Sequence, residues 1–213
     1  MCIIAPSLLE ADYKCLGEQL KTMEKSGAEY GSFVPNLACG MKMIHGLKGV
    51  ADLVFDVHLM VNEPVRFVKR MQEAGADVIS VHYEACSNVA ETLKEIKQCG
   101  IRAGIVLNPE TSAEVLTEEI WKLADVIQVM TVHPGRDGQH FIEDTLDKIK
   151  DIRRRSTDTG EWKDIEVDGS INCGNIGKVI KAGANIIVSG KALFNGNLAE
   201  NIANMKQQAA MEE

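Results

Sequence analysis

Two short stretches of this chain place chemically active side chains beside glycine turns. Asp168 ends a short predicted strand in which acids alternate with apolar residues, and Gly169 and Ser170 follow it directly. The next predicted strand is apolar and is followed by Gly190 and Lys191. A carboxylate in such a place can be a general acid, a general base or a metal ligand, and the backbone N–H groups of glycine turns can hold a phosphate. Taken alone, the aspartate could also only cap its turn, and the lysine could only face solvent.

A histidine in an earlier apolar run is the next candidate. His58 follows Asp56 by two residues, so their side chains share one face of a strand. A histidine and a strand-end aspartate from different strands can share one metal ion. The alternative is a satisfied interior histidine. We interpret His82, one apolar run further on, as a packing residue.

A glycine-rich segment follows the strand predicted at 126–130 and could cover a site. Gly135 and Gly138 frame Arg136 and Asp137 in this segment. A loop of this kind is long enough to act as a lid over a bound molecule. An ordinary glycine-rich turn is the alternative.

The composition limits the class of protein and of partner. The chain has 213 residues, of which 45% are hydrophobic and 25% charged, as expected of a globular protein with one sizeable core. The net charge of -8 argues against nucleic acid or an anionic membrane as the main partner. A phosphorylated substrate is still compatible with it, because backbone N–H groups can hold a phosphate.

The cysteines and the first residues indicate the compartment. The six cysteines are scattered without a C-x-x-C pair, which is typical of reduced thiols. The first residues lack the pattern of a secretory leader, and no apolar run has the length of a membrane span. We therefore expect a cytoplasmic protein.

Short apolar runs alternate with amphipathic segments along the whole chain. The predicted strands are residues 2–7, 52–60, 77–83, 102–107, 126–130, 165–168 and 186–189. Most are apolar on both faces, which is typical of a covered parallel sheet. Eight such βα units would close an α/β TIM barrel, a (β/α)8 fold, as a single domain over residues 1–213. An open doubly wound sheet is the alternative, but no G-x-G-x-x-G follows the first strand.

The second strand is the exception to this regular pattern. Residues 28–30 should begin it, but Gly31 and Ser32 follow at once. Glycine and serine are turn residues, and three residues are fewer than the usual strand of about five or six. The sequence therefore predicts a barrel whose second strand is truncated or missing.

Taken together, the motifs of this chain resemble the ribulose-phosphate 3-epimerase family over nearly the whole sequence. The matching motifs are Ala5-Pro-Ser-Leu8, Phe33-Val-Pro-Asn36, Asp56-Val-His-Leu-Met-Val61, Leu107-Asn-Pro-Glu-Thr111, Val129-Met-Thr-Val132, Pro134-Gly135, Gly138-Gln139, Ile165-Glu-Val-Asp-Gly-Ser170 and Val188-Ser-Gly190. Within that family, Asn108-Pro-Glu-Thr111, Asp168-Gly-Ser170 and Leu193-Phe-Asn195 are most similar to the allulose-6-phosphate 3-epimerase branch.

The resemblance implies a (β/α)8 barrel that inverts carbon 3 of a ketose phosphate through an enediolate. Two acids on opposite faces of the substrate exchange protons, and a divalent metal (Zn, Mn, Fe, Co or Mg, with zinc as our first choice) stabilises the intermediate. By motif, Asp168 is one acid and a metal ligand, and His58 is a metal ligand that also contacts substrate. The other residues implied to bind the substrate are Ser7, Gly135, Arg136, Asp137, Gly138, Gly169, Ser170, Gly190 and Lys191.

The chain also departs from the family's pattern. The family's second strand carries His-x-Asp and then Met-Asp-Gly before Phe-Val-Pro-Asn, whereas here Tyr30 runs directly into Gly31. The other acid and two of four metal ligands are lost with that stretch, which leaves His58 and Asp168. His133, before Pro134-Gly135, stands where the family has an acid.

Three hypotheses follow from the resemblance and from these departures. The first is an epimerase acting on ribulose 5-phosphate and xylulose 5-phosphate, or on allulose 6-phosphate and fructose 6-phosphate. The second is a phosphosugar-binding relative without turnover, and the third is a degenerate copy that folds poorly. We expect a homo-oligomer whose partner is a small ketose phosphate, without nucleic acid or membrane.

Overall fold

The computed structural model describes residues 2–33, 40–135 and 138–212. Within these residues, eight parallel strands form one sheet. They are β1 (Ile3–Pro6), β2 (Tyr30–Phe33), β3 (Val54–Leu59), β4 (Val78–His82), β5 (Arg102–Leu107), β6 (Val126–Met130), β7 (Asp164–Asp168) and β8 (Ile186–Ser189). Their alternation with helices confirms the predicted α/β architecture.

The strand order shows how the sheet curls into a barrel. Strands β2 to β8 pair in sequence order, and β8 pairs in parallel with β1. The ring is completed between β1 and β2 by a single parallel bridge between Ser7 and Ser32. The fold is thus a nearly closed TIM barrel, and all eight strands end at the same mouth.

Helices surround this barrel. They are α1 (Leu16–Lys25), α2 (Met41–Leu47), α3 (Val68–Ala74), α4 (Val89–Gln98), α5 (Glu118–Leu123), α6 (Thr145–Thr159), α7 (Ile176–Ala182), α8 (Lys191–Phe194) and α9 (Leu198–Ala210). Short 3-10 turns precede or extend several of them, at Leu8–Glu10, Pro64–Phe67, Tyr83–Ala85 and Ala113–Val115. In the part of the chain that the structure describes, no helix has the length and apolarity that crossing a membrane requires.

Each strand divides its side chains between the helices and the barrel interior. In β3, Phe55, Val57 and Leu59 are fully buried in the apolar core that the helices share. The alternate residues Asp56 and His58 are equally buried but face inward, as the two-residue period of a strand requires. Polar groups are therefore concentrated inside the ring, below its mouth.

The second strand is present as four residues, which corrects the expectation of a missing strand. Tyr30–Phe33 pairs in parallel with β3, with Ser32 opposite Asp56. The prediction of a turn at Gly31 and Ser32 was wrong. Turn propensity is a local preference of about 1 kcal/mol, whereas an unfilled place in the ring would leave the edges of β1 and β3 without hydrogen-bond partners.

Candidate active site

Asp168 and His58 lie together at the mouth of the barrel, as their strand positions predict. The last residue of β7 places its Oδ2 atom 3.7 Å from Nδ1 of His58, which lies in β3. Burial lowers the pKa of His58, and its contact with Asp168 only partly opposes that effect. The imidazole is therefore neutral near pH 7 and forms no strong ion pair with the carboxylate.

The other nitrogen of His58 is held by a second histidine. Its Nε2 atom lies 2.7 Å from Nε2 of His82, and the two rings stack with centroids 4.8 Å apart. On the opposite edge of the ring, Nε2 of Gln128 lies 3.2 Å from Nδ1 of His58. His82 is thus a hydrogen-bonding partner of the candidate site, although its position in the sequence suggested only packing.

The carboxylate of Glu84 contacts the second ring of this pair, that of His82. Nδ1 of His82 lies 3.4 Å from Oε2 of Glu84. Burial alone would raise the pKa of Glu84, but hydrogen bonds from His82, from Thr111 and from the backbone N–H of Asn108 lower it to about 2. A row of four groups, Asp168, His58, His82 and Glu84, therefore runs across the mouth.

A cavity of about 600 Å³ opens beside Asp168. The predicted phosphate residues Gly169, Ser170, Gly190 and Lys191 all line it, together with Ser7 and Gly138. The predicted residues from β1, β6, β7 and β8 are thus brought to one space, whose size suits a small sugar phosphate.

The turn after β7 has a backbone shape that few residues accept. Gly169 has φ of 131° and Ser170 has φ of 55°. A Cβ atom at Gly169 would lie 2.6 Å from a methyl carbon of Val132 and 2.8 Å from its backbone nitrogen. The hydroxyl of Ser170 donates to the carbonyl of Gln139 at 2.7 Å, which fixes the turn against the loop after β6.

Not every predicted residue reaches this cavity. His58 is fully buried and does not line the cavity, but it lies beside Asp168, which does. Gly135 lines a neighbouring cavity of about 370 Å³ beside His82 and Glu84. Arg136 and Asp137 lie outside the described residues.

The structure adds several residues that the sequence did not single out. The added lining residues include Glu10, His140, Asn172 and Asn175. Both asparagines donate from Nδ2 to the carbonyl oxygen of Ser170, at 3.2 and 3.0 Å, and so hold the turn after β7. Glu10 had a signal in the sequence, since it is an acid that closely follows the first strand.

A second pair of acids lies deeper in the barrel. Asp56 of β3 and Glu166 of β7 are each 1% exposed. Burial, followed by the charge of Asp56, raises the pKa of Glu166 well above its usual range. Among the described residues, the carboxyl oxygens of both acids have no aligned hydrogen-bond partner.

The donor groups at the mouth do not fit a tightly held divalent metal. Of the ligands that the resemblance implies, His58 and Asp168 are present, and Nε2 of His58 is already engaged by His82. Within residues 2–33, 40–135 and 138–212, no group of three or more His, Cys, Asp or Glu side chains could hold a metal ion. A catalytic zinc site needs about three protein ligands, so these residues do not make one.

Comparison with known proteins relates this geometry to a family. A model described as the ribulose-phosphate 3 epimerase family matches residues 3–194. The curated ribulose-phosphate 3-epimerase of Bacillus subtilis (strain 168) is 43% identical over 203 residues, which cover 91% of this chain and 93% of that protein. The curated protein of the same name from Synechocystis sp. is 40% identical, with 99% of this chain and 95% of that protein covered.

A solved structure is similar in fold at much lower identity. The Streptococcus mutans protein called KGPDC superposes on this chain with a TM-score of 0.77. It is 12% identical, and the match covers 98% of this chain and 97% of that one. At this identity the similarity supports the barrel fold alone.

Proposed function

Because the chain belongs to the ribulose-phosphate 3-epimerase family, we propose that it inverts carbon 3 of a pentose phosphate. The substrate pair is ribulose 5-phosphate and xylulose 5-phosphate. The relatives at 43% and 40% identity are named ribulose-phosphate 3-epimerase. The reaction is an isomerisation that moves protons and needs no redox partner.

The position of Asp168 is the observation that carries this proposal. Its carboxylate lines the cavity and lies 3.7 Å from the neutral ring of His58. A carboxylate held in this way can remove the proton on carbon 3 of a bound ketose phosphate and leave an enediolate. His58, with its Nε2 atom held by His82, packs beside that carboxylate at the mouth of the barrel.

The phosphate end of the substrate is assigned to the turns after β7 and β8. Gly169, Ser170 and Gly190 supply backbone to the cavity wall, and Lys191 supplies a positive charge. Ser7 lines the same space from β1. A protein with a net charge of -8 can bind a phosphate dianion here because the favourable groups are local.

A divalent metal, with zinc as our first choice, is the cofactor that the resemblance implies. Such an ion would stabilise the negative charge of the enediolate. Because His58 and Asp168 are too few to hold it tightly, we assign no step of the reaction to it.

Allulose 6-phosphate is the alternative substrate, since the Asn108-Pro-Glu-Thr111 and Asp168-Gly-Ser170 motifs are similar to that branch. Both substrates present the same groups around carbon 3. Comparing kcat/KM for ribulose 5-phosphate and for allulose 6-phosphate decides between them, and we expect the pentose phosphate to give the larger value.

A phosphosugar-binding protein without turnover is the second candidate, because the described second strand carries Gly31 and Ser32 and no carboxylate. Formation of xylulose 5-phosphate from ribulose 5-phosphate by the pure protein tests both candidates. We expect product with the wild type and none with Asp168→Asn. If the ligand raises the melting temperature of the wild type but no product forms, the second candidate is correct.

A further inference from the structure

Inversion at carbon 3 needs a second acid, and the second strand does not provide one. A proton leaves from one face of the substrate and another must arrive at the opposite face. Strand β2 consists of Tyr30, Gly31, Ser32 and Phe33. The sequence has no Asp or Glu anywhere from Tyr30 to Ala51, so the partner of Asp168 must come from another part of the mouth.

Among the described residues, Glu10 is the other carboxylate that lines the cavity. Among the described residues that line it, the ionisable ones are Glu10, His140, Asp168 and Lys191. Lys191 is a cation beside the phosphate turn and suits the phosphate. His140 is exposed and closely follows the undescribed residues 136–137, whereas Glu10 is half-buried.

The backbone around Glu10 is fixed next to the strand that lacks an acid. The 3-10 turn Leu8–Glu10 follows β1, and Ser7 at its start bridges to Ser32 of β2. The N–H of Glu10 donates to the carbonyl of Ser7 at 3.2 Å. Glu10 therefore enters the mouth from the strand that neighbours β2 in the ring.

The side chain of Glu10 also has a defined neighbour. A Cβ atom at Gly190 would lie 2.8 Å from Cγ of Glu10, so Glu10 packs where only a glycine leaves room. Strand β8, which ends just before this glycine, separates β1 from β7 in the ring. Glu10 and Asp168 thus reach the same cavity from two sides of the end of β8.

We propose that Glu10 is the second acid of carbon-3 inversion, an inference that depends on the proposed function. The carboxylate of Asp168 takes the proton as the C3–H bond breaks, and the electron pair moves into the C2–C3 bond to give the enediolate. The carboxylic acid of Glu10 then donates its proton to carbon 3 from the other side, and the C2 carbonyl forms again. Solvent water accepts the proton from Asp168 and returns one to Glu10, so the cycle is balanced.

Deuterium exchange at carbon 3 in D2O distinguishes the role of Asp168 from the role of Glu10. In the wild type, carbon 3 acquires deuterium and ribulose 5-phosphate becomes xylulose 5-phosphate. In Glu10→Gln, Asp168 still exchanges the C3 proton of one epimer, while kcat for inversion falls by about 10² or more, the usual contribution of a general acid. KM changes little, because binding of the phosphate depends on other residues.

Three variants make this test decisive. Glu18→Gln, on the exposed surface of α1, is the matched control and should behave as the wild type. Asp137→Asn tests the acid outside the described residues. The role of Glu10 would be overturned if Glu10→Gln inverts carbon 3 at the wild-type kcat, whether its KM is unchanged or lower. It would also be overturned if Asp137→Asn loses more kcat for inversion than Glu10→Gln does. A wild type that neither exchanges nor inverts would instead remove the proposed function itself.

Discussion

The imidazole rings of His58 and His82 share a hydrogen bond, with their Nε2 atoms 2.7 Å apart. Both side chains are almost completely buried. One ring must donate and the other accept, and Glu84 at Nδ1 of His82 favours a proton on that atom. His58 is then the donor at Nε2, and its Nδ1 accepts from Gln128.

Replacing His82 should destabilise the fold and the site together. In His82→Ala, Nε2 of His58 loses its partner and a buried space opens, which should lower the free energy of unfolding by about 2–3 kcal/mol. Urea denaturation measures this loss. His133→Ala is the control: His133 pairs with Glu110 at 2.7 Å on the surface, and its loss should cost less than about 1 kcal/mol. Equal losses in the two variants would contradict the role given to His82.

Glu166 should make the stability of the protein depend on pH. Because burial and Asp56 raise its folded-state pKa, the native state keeps a proton that the unfolded chain releases above its ordinary pKa of 4.5. The free energy of unfolding therefore falls as the pH rises from that value towards the raised pKa. Glu166→Gln removes this proton difference and should give a shallower decline.

Urea denaturation at several pH values above 4.5 tests this prediction. Glu118→Gln, on the exposed face of α5, is the control and should follow the wild-type curve. A wild type whose stability rises with pH over that range, or a Glu166→Gln variant with an unchanged slope, would show that Glu166 is ionised in the folded protein.

Glu84 should make the free energy of unfolding fall as the pH is lowered, opposite to the effect of Glu166. Its pKa is lowered to about 2 from an ordinary 4.5, so its contribution to stability is complete above pH 4.5 and is lost as the pH falls towards 2. We expect that contribution to be about 1–2 kcal/mol, since the side chain is 29% exposed. Glu84→Gln should lose it at neutral pH and show a smaller further loss between pH 4.5 and pH 2. Parallel acid-unfolding curves for the two proteins would refute this.

Much of the fold follows from local sequence patterns. The strands Arg102–Leu107, Val126–Met130 and Ile186–Ser189 have the predicted bounds, because apolar runs closed by turn residues specify buried parallel strands. Strand β2 could not be predicted in this way. Gly31 and Ser32 have turn propensity, and they form a strand because the neighbouring strands β1 and β3 would otherwise have edges without hydrogen-bond partners.

Part of the candidate site could also be predicted from the sequence, and part could not. That Asp168 and His58 come together could be predicted, because parallel strands of a barrel end at one mouth. The hydrogen bond between His58 and His82 depends on side-chain directions across two neighbouring strands, which the sequence does not reveal. The meeting of Asp56 and Glu166 depends on strands β3 and β7, which lie four places apart in the ring.

Gly169 should tolerate no side chain. In Gly169→Ala, the added Cβ would approach the backbone nitrogen of Val132 to 2.8 Å, at a φ of 131°. We expect a loss of about 1–3 kcal/mol in unfolding free energy and a loss of the increase in melting temperature that ribulose 5-phosphate gives. Gly46→Ala is the control, because a Cβ in that helix meets nothing within 4 Å and should be neutral or stabilising. If ribulose 5-phosphate still raises the melting temperature of Gly169→Ala, the turn after β7 does not bind the phosphate.

Removal of divalent metal should leave the fold unchanged. His58 and Asp168 are the ligands of the implied metal that remain, and His82 already holds one nitrogen of His58. Two ligands hold a zinc ion weakly, so dialysis against a chelator should not change the melting temperature. Excess zinc added afterwards should raise it no more in the wild type than in His58→Gln. Stoichiometric zinc that survives dialysis in the wild type and is lost in His58→Gln would show that other groups complete a metal site.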